Sequence, residues 1–221
     1  VIEGRELVDT REATEAGAGT CVGRVVTPNV VRIIAITDEP IADWSGVREL
    51  PAREVGEITV VGPTTTDSYF NRPQATAAAK IREVLADGAE RIVHRMGDVG
   101  WFDGEGRLWF CGRKTHRVET AAGALYTEQV EPVFNTVAGV RRTALVGVGE
   151  LGQQVPVLCY ELLPDQHFAE IETQLRAMAL RHPGLAGIEH FLRHPGFPVD
   201  IRHNAKIGRE KLAVWAQAQL G

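Results

Sequence analysis

The chain has 221 residues, 44% hydrophobic and 24% charged, which is enough for one or two packed domains and too apolar for disorder. Twenty-four Lys and Arg against 29 Asp and Glu leave a net charge of −5, so there is no broad basic field for nucleic acid or an anionic membrane. No apolar run approaches the ~20 residues that cross a bilayer, and no signal-peptide pattern opens the chain, so the sequence reads as soluble and cytoplasmic. The three cysteines, Cys21, Cys111 and Cys159, are odd in number and far apart with no CxxC, which argues against a disulfide framework or a zinc site. Buried thiols are the expectation.

The chain starts at Val1 without a Met, and Ile2-Glu3-Gly4-Arg5 also spells a protease site used to release fusion partners. The polar text runs on smoothly through residues 11–23, as a long surface loop would, which favours natural sequence and a piece of a larger protein. Residues 30–36 and 57–61 are rich in β-branched side chains, and Gly62-Pro63 closes the second run. Between Arg72-Pro73 and Gly88, the alanines at 75–79 with Ile81, Val84 and Leu85 suggest a helix, with Pro near its start and Gly past its end. Residues 99–102 and 107–111 flank Asp103-Gly104-Glu105-Gly106, a hairpin turn between aromatic strands.

After Lys114 helices and strands alternate. Residues 128–137 place Val130, Phe134 and Val137 on one helical face behind Thr127 as cap. Residues 142–148 and 155–163 read as strands, the second so uniformly apolar that it belongs at the centre of a sheet. Phe168, Ile171, Leu175 and Met178 mark an amphipathic helix ended by Pro183-Gly184. A short strand near 189–192, a polar loop through His203-Asn204 and a last helix carrying Leu212 and Trp215 complete the pattern. The expected fold class is mixed α+β: a β-barrel-like subdomain over 1–113, then a small α+β domain over 114–221, with the joint at 112–115.

Four stretches could carry chemistry. Gly56-Glu57-Ile58 followed by Gly62-Pro63, Tyr69 and Pro73 is, taken alone, a strand leaving through a loop. Met96-Gly97-Asp98-Val99-Gly100 reads as an ordinary turn, yet a fixed carboxylate at Asp98 can also accept two vicinal ribose hydroxyls. Gly112-Arg113-Lys114 is a charged linker, or a place where the Arg113 fork meets nucleotide oxygens. Lys206, in Asn204-Ala205-Lys206-Ile207-Gly208-Arg209, is by default a solvated loop lysine. No histidines fall at metal-ligand spacing, and no nucleophile motif is present.

In this order the stretches resemble the second half of the adenylate-forming enzymes, the superfamily of acyl-CoA synthetases, peptide-synthetase adenylation domains and luciferases. Gly56-Glu57-Ile58, with Gly62, Tyr69, Pro73 and Thr76, is similar to the family's Gly-Glu-Leu strand and its Gly-Tyr-x-x-x-Pro stretch. Gly97-Asp98 with Gly104, Gly106 and Arg107 resembles the Thr-Gly-Asp motif and following hairpin, with Met96 in place of Thr. Gly112-Arg113 with Gly123 and Glu131 resembles the hinge and the loop beyond it, with Thr115 at the hinge position. Lys206, Arg209 and Leu212 keep the spacing Lys-x-x-Arg-x-x-Leu around the family's C-terminal catalytic lysine. Residues 109–120 and 202–206 look like one branch in particular, the bacterial olefin β-lactone synthetases.

The resemblance implies ATP and AMP as nucleotides, with Mg2+ held mainly by an N-terminal half that would carry the phosphate loop, the acyl pocket and the adenine motif. Ala13-Thr14-Glu15 echoes that last motif without its Tyr-Gly. It implies Lys206 as the catalytic residue and Asp98 and Arg113 as nucleotide-binding residues. The implied substrate is a fatty acid, a 2-alkyl-3-hydroxy acid on the olefin branch, activated as acyl-AMP and closed to a β-lactone, with other olefin-pathway enzymes as further partners. Alternatives are a fatty-acyl-CoA synthetase, a related peptide-synthetase-like adenylating enzyme, or, in another class, a non-catalytic docking module.

Overall fold

A computed structural model describes residues 1–200 and 206–221. The chain packs as two compact units, one of Val1–Arg11 with Gly19–Thr115, the other of Glu12–Ala18 with His116–Gly221. The architecture is mixed α and β, with a curled antiparallel sheet preceding an α+β unit of similar size.

Helix α1, Gly4–Glu15, and strand β1, Thr20–Gly23, together replace the surface loop expected through 11–23. Glu, Arg, Leu and Ala favour a helix over residues 4–15, and Gly17 and Gly19, both at positive φ, lie beyond its end, where they stop the helix without preventing it. Strands β2 (Val30–Ile34) and β3 (Gly56–Val61) follow where expected. Helix α2 (Pro73–Ala79) then gives way at once to strand β4 (Lys80–Val84). The single helix expected over this stretch is therefore half strand. Lys80, Ile81 and Glu83 are buried against exposed Arg82 and Val84, and the turn at Asp87-Gly88 folds β4 onto the next strand in register from Lys80↔His94 to Val84↔Glu90.

That next strand, β5 (Glu90–Phe102), is thirteen residues long, nine more than its apolar end suggests. It pairs with β4, with β3, and with β6 (Leu108–Arg113). The sheet order is β1-β6-β5-β3-β2 with β4 attached to β5. Ile34, Ile81 and Val93 form its fully buried centre, edged by Ile41, Trp44 and Val47. The hairpin between β5 and β6 closes on Asp103, which accepts from the Glu105 and Arg107 amides, both 2.9 Å, from Arg107 Nε at 2.7 Å and from Trp109 Nε1 at 2.9 Å.

In the second unit β7 (Val118–Thr120) and β8 (Gly123–Leu125) form a short hairpin before α3 (Thr127–Phe134). Tyr126, still extended, is the residue that precedes the helix, and Thr127 makes no capping bond. The chain leaves β8 straight into the first turn, so the capping role expected for Thr127 falls away. Strands β9 (Val140–Val148) and β10 (Val155–Leu162) are antiparallel, and after α4 (Phe168–Arg181) strand β11 (His190–Arg193) pairs parallel with β10, which is central as expected. Leu145, Leu158 and Tyr160 point to one face with α3 and α4. Ala144, Val146, Val157 and Cys159 point to the other. Covered on both faces, the sheet leaves no polar side to β10.

A two-strand ladder, β12 (Val199–Asp200) with β13 (Lys206–Ile207), precedes α5 (Arg209–Leu220), whose Leu212 and Ala216 close the second face. The polar loop expected at His203-Asn204 lies outside the described residues. All three cysteines are buried and none is in a disulfide. Among the described residues no helix is long and apolar enough to cross a membrane.

The hairpin gives a pH test. Burial pushes the Asp103 carboxyl up, but hydrogen bonds from Trp109, Arg107 and the two amides outweigh it and hold the group at about 2. A depressed carboxylate contributes stability that is present above its unfolded value near ~4 and is lost as pH falls through the folded value. Asp103→Asn should therefore weaken the first unit at neutral pH and flatten the loss of melting temperature between about pH 4 and about pH 2. Thermal unfolding across that window, with an unchanged slope in the variant, would refute this role.

Candidate nucleotide and lysine sites

Asp98 and Arg113 face each other across the β5–β6 ladder, so the structure brings together two of the three residues singled out in the sequence. Their setting is a double irregularity. Glu57 pairs with Val99 but Thr59 pairs with Arg95, so Met96, Gly97 and Asp98 lie opposite Ile58 alone. The stretch read as a turn is thus a bulge inside a strand, with Gly97 at φ +68° absorbing the extra chain. On β6 Cys111 is the extra residue beside Gly112, at φ +122°. A pair of bulges bends the sheet where the two charged side chains meet.

Arg113 Nη1 lies 3.0 Å from Asp98 Oδ1, with the arginine half-exposed and the aspartate mostly buried. That contact is an ion pair without hydrogen-bond alignment, and Oδ1 is buried with no hydrogen-bond partner. Burial pushes the Asp98 carboxyl up, and Arg113 only partly opposes it. A buried acceptor left without a donor is costly. Hydroxyl donors, such as the vicinal pair of a ribose, would satisfy it, so the residues present fit a nucleoside. For Mg2+ there is no comparable fit, because no group of three His, Cys, Asp or Glu gathers among the described residues.

Directly beneath, a buried charge cluster holds the bend. Arg95 donates to Glu57 Oε2 at 2.7 Å and 3.2 Å, and to the carbonyls of Thr37, Glu39 and Ala78 at 2.6, 2.9 and 3.1 Å. Lys114 Nζ joins the same carboxylate at 3.2 Å and Thr37 O at 2.9 Å. Glu57, the acid of the Gly-Glu-Ile motif, is therefore a structural counter-charge, and Lys114 is an anchored residue with no resemblance to a solvated linker. Arg95 escaped the sequence reading. Its signal was its alternation with buried Val93 on an inward-facing strand position, where a charge demands a partner.

Lys206 lies in β13, exposed, its backbone paired to Asp200. Three residues on, Arg209 grips Glu131 of α3 with both nitrogens, at 2.6 and 2.9 Å, and donates to Leu145 O at 3.0 Å. The same carboxylate accepts the Leu145 amide at 2.8 Å. Two motif residues 78 positions apart thus form one buried pair.

Solved structures share this arrangement of elements. The amide bond synthetase McbA from Marinactinospora thermotolerans superposes with a TM-score of 0.68 at 28% identity, covering 89% of this chain and 36% of that one. The anthranilate CoA ligase AuaEII in complex with anthranoyl-AMP superposes at 0.70 and 17% identity, covering 90% of this chain and 36% of that one, a likeness of fold. The chain belongs to the adenylate-forming enzymes, of which it forms a C-terminal part. More particularly, it is similar to the olefin beta-lactone synthetase of Stenotrophomonas maltophilia (strain K279a), with 74% identity over 221 residues, all of this chain and 40% of that protein. No family model matches the chain. It spans about two-fifths of the length of the curated relatives it matches.

The Asp98 carboxyl, raised by burial, makes a prediction of opposite sign to that of Asp103. A carboxyl whose folded value is raised imposes a cost that is absent below the unfolded value near ~4 and complete once pH exceeds the folded value. Asp98→Asn should accordingly melt no lower than wild type at pH 7. A clear drop in melting temperature would show Asp98 to be a structural residue.

Proposed function

We propose that the whole enzyme is an ATP-dependent ligase of the cytoplasm that activates a 2-alkyl-3-hydroxy fatty acid as acyl-AMP and closes it to a β-lactone in olefin biosynthesis. In this reading the chain described here supplies Asp98, Arg113 and Lys206. The observation that carries it is the buried, donor-less Asp98 Oδ1 beside the half-exposed Arg113. The likeness to an olefin beta-lactone synthetase supports the choice of branch.

In the first step a carboxylate oxygen of the fatty acid attacks the α-phosphorus of ATP and pyrophosphate leaves. Asp98 accepts the ribose hydroxyls and so fixes the nucleoside. Arg113, exposed enough to move its fork, donates to nucleotide oxygens nearby. Lys206 presents a compact positive charge to the carboxylate and phosphate oxygens, where negative charge builds up. In the second step the substrate's own 3-hydroxyl gives up its proton to solvent as its oxygen bonds the acyl carbon, the bond from that carbon to the phosphate oxygen breaks, AMP leaves, and a four-membered ring closes because nucleophile and electrophile belong to one molecule. Mg2+ and the triphosphate contacts fall to the preceding part of the enzyme.

A fatty-acyl-CoA synthetase would share the first step and differ in the second, so AMP release that requires coenzyme A would overturn the lactone assignment. The 221 residues alone should bind ATP too weakly for calorimetric detection at micromolar concentration, because a ribose carboxylate holds no triphosphate. Micromolar binding would contradict that division of labour. In the whole enzyme Lys206→Ala should lower ATP–pyrophosphate exchange on the order of a hundredfold or more, with little change in melting temperature, since an exposed side chain contributes little to the core. AMP release from synthetic acyl-adenylate should largely survive. Unchanged exchange would remove Lys206 from the mechanism, and equal loss in both assays would point to a folding defect.

A further inference from the structure

We infer that Arg209 and Glu131 are positioning residues for Lys206, a latch that fixes the direction of the lysine through the first turn of α5. The inference rests on the adenylation reading of Lys206 given above. β13 is two residues long and hangs on a two-pair ladder, which alone cannot hold a catalytic ammonium to the tolerance that catalysis needs. The chain beyond Lys206 is fixed far more firmly. Gly208 N donates to Pro198 O at 2.7 Å, and Leu212 N closes the first helical bond to Gly208 O at 3.0 Å. Leu212 itself is fully buried.

Between these backbone ties the Arg209 fork enters the packed layer and spans α3 and β9, bound to both Glu131 oxygens and to Leu145 O. Glu131 in turn accepts the Leu145 amide, so the carboxylate cannot rotate without breaking three bonds. A buried ion pair is a poor way to gain stability, because well-packed apolar side chains of similar volume do as well or better. Bidentate geometry does fix orientation. Here it fixes the start of α5, three residues from Lys206.

The test is a double-mutant cycle in the whole enzyme. Glu131→Met with Arg209→Met removes the latch without leaving one charge stranded, and Arg209→Lys keeps the charge but loses the fork. Both should keep or nearly keep the wild-type melting temperature, and the Lys variant guards against misfolding of the Met pair. Each should lower kcat for ATP–pyrophosphate exchange on the order of tenfold, leave KM for ATP nearly unchanged, and leave AMP release from synthetic acyl-adenylate intact. Combined with Lys206→Ala, neither should lower exchange further. Wild-type exchange in a folded latch variant, or losses that multiply with those of Lys206→Ala, would overturn the inference while leaving the role of Lys206 standing. Unchanged exchange in Lys206→Ala alone would overturn both.

Discussion

Glu57 is the point on which the first unit turns. Its carboxylate is 1% exposed and would be prohibitively unstable there without Arg95 and Lys114, which meet it from two different segments. Arg95 uses its remaining donors on the carbonyls of Thr37, Glu39 and Ala78. One buried charge thereby binds β3, β5, the segment after β2, the end of α2 and the residue just before Thr115. Removing a single member would strand an uncompensated charge, at a cost of about 3–5 kcal/mol. That penalty makes the bend in β5 non-negotiable, and Asp98 is carried on the bend.

The second unit uses the same device. Glu131 is buried, gripped by Arg209 and tied to the Leu145 backbone. In each unit a buried arginine–glutamate pair holds the backbone three residues from a less buried charged side chain. Asp98 follows Arg95 by three residues, and Lys206 precedes Arg209 by three. Satisfied polar networks in the interior are rigid because every displacement exposes an unpaired group, which is what a displaced acid or an extended lysine requires of its support.

Much of this was legible in the sequence, and the limits are physical. The turn at Asp103 could be read because turn chemistry is local, and β10 because eight residues with almost no polar side chain have no other place than a covered sheet. The stretch 80–84 was misread because Ile81, Val84 and Leu85, following alanines, satisfy helical spacing, while the alternation that places Ile81 and Glu83 inside is completed by charged residues. Met96-Gly97-Asp98 looked like a turn because a bulge and a turn need the same residues, and only the partner strand tells them apart. The order of the motifs singled out Asp98 and Arg113, which the structure places opposite each other. The pairing of Glu57 with Arg95, 38 residues away, or of Glu131 with Arg209 could not be seen, since nothing local records which distant charge answers a buried one.

The long sheet also sets an order of assembly. β4, β5 and β6 are consecutive hairpins that can pair as soon as they leave the ribosome, since closing a short loop costs little entropy. β1 cannot. Its partner is β6, with Thr20 opposite Phe110, so it must wait while about ninety intervening residues are synthesised, its backbone donors and acceptors unpaired. At a translation rate of roughly 5–20 residues per second that wait lasts several seconds or more. The strand copes by being short. Four residues ending in Gly23 offer a stray edge too little to template on, and the brevity of β1 is then a protection during synthesis as much as a feature of the finished sheet.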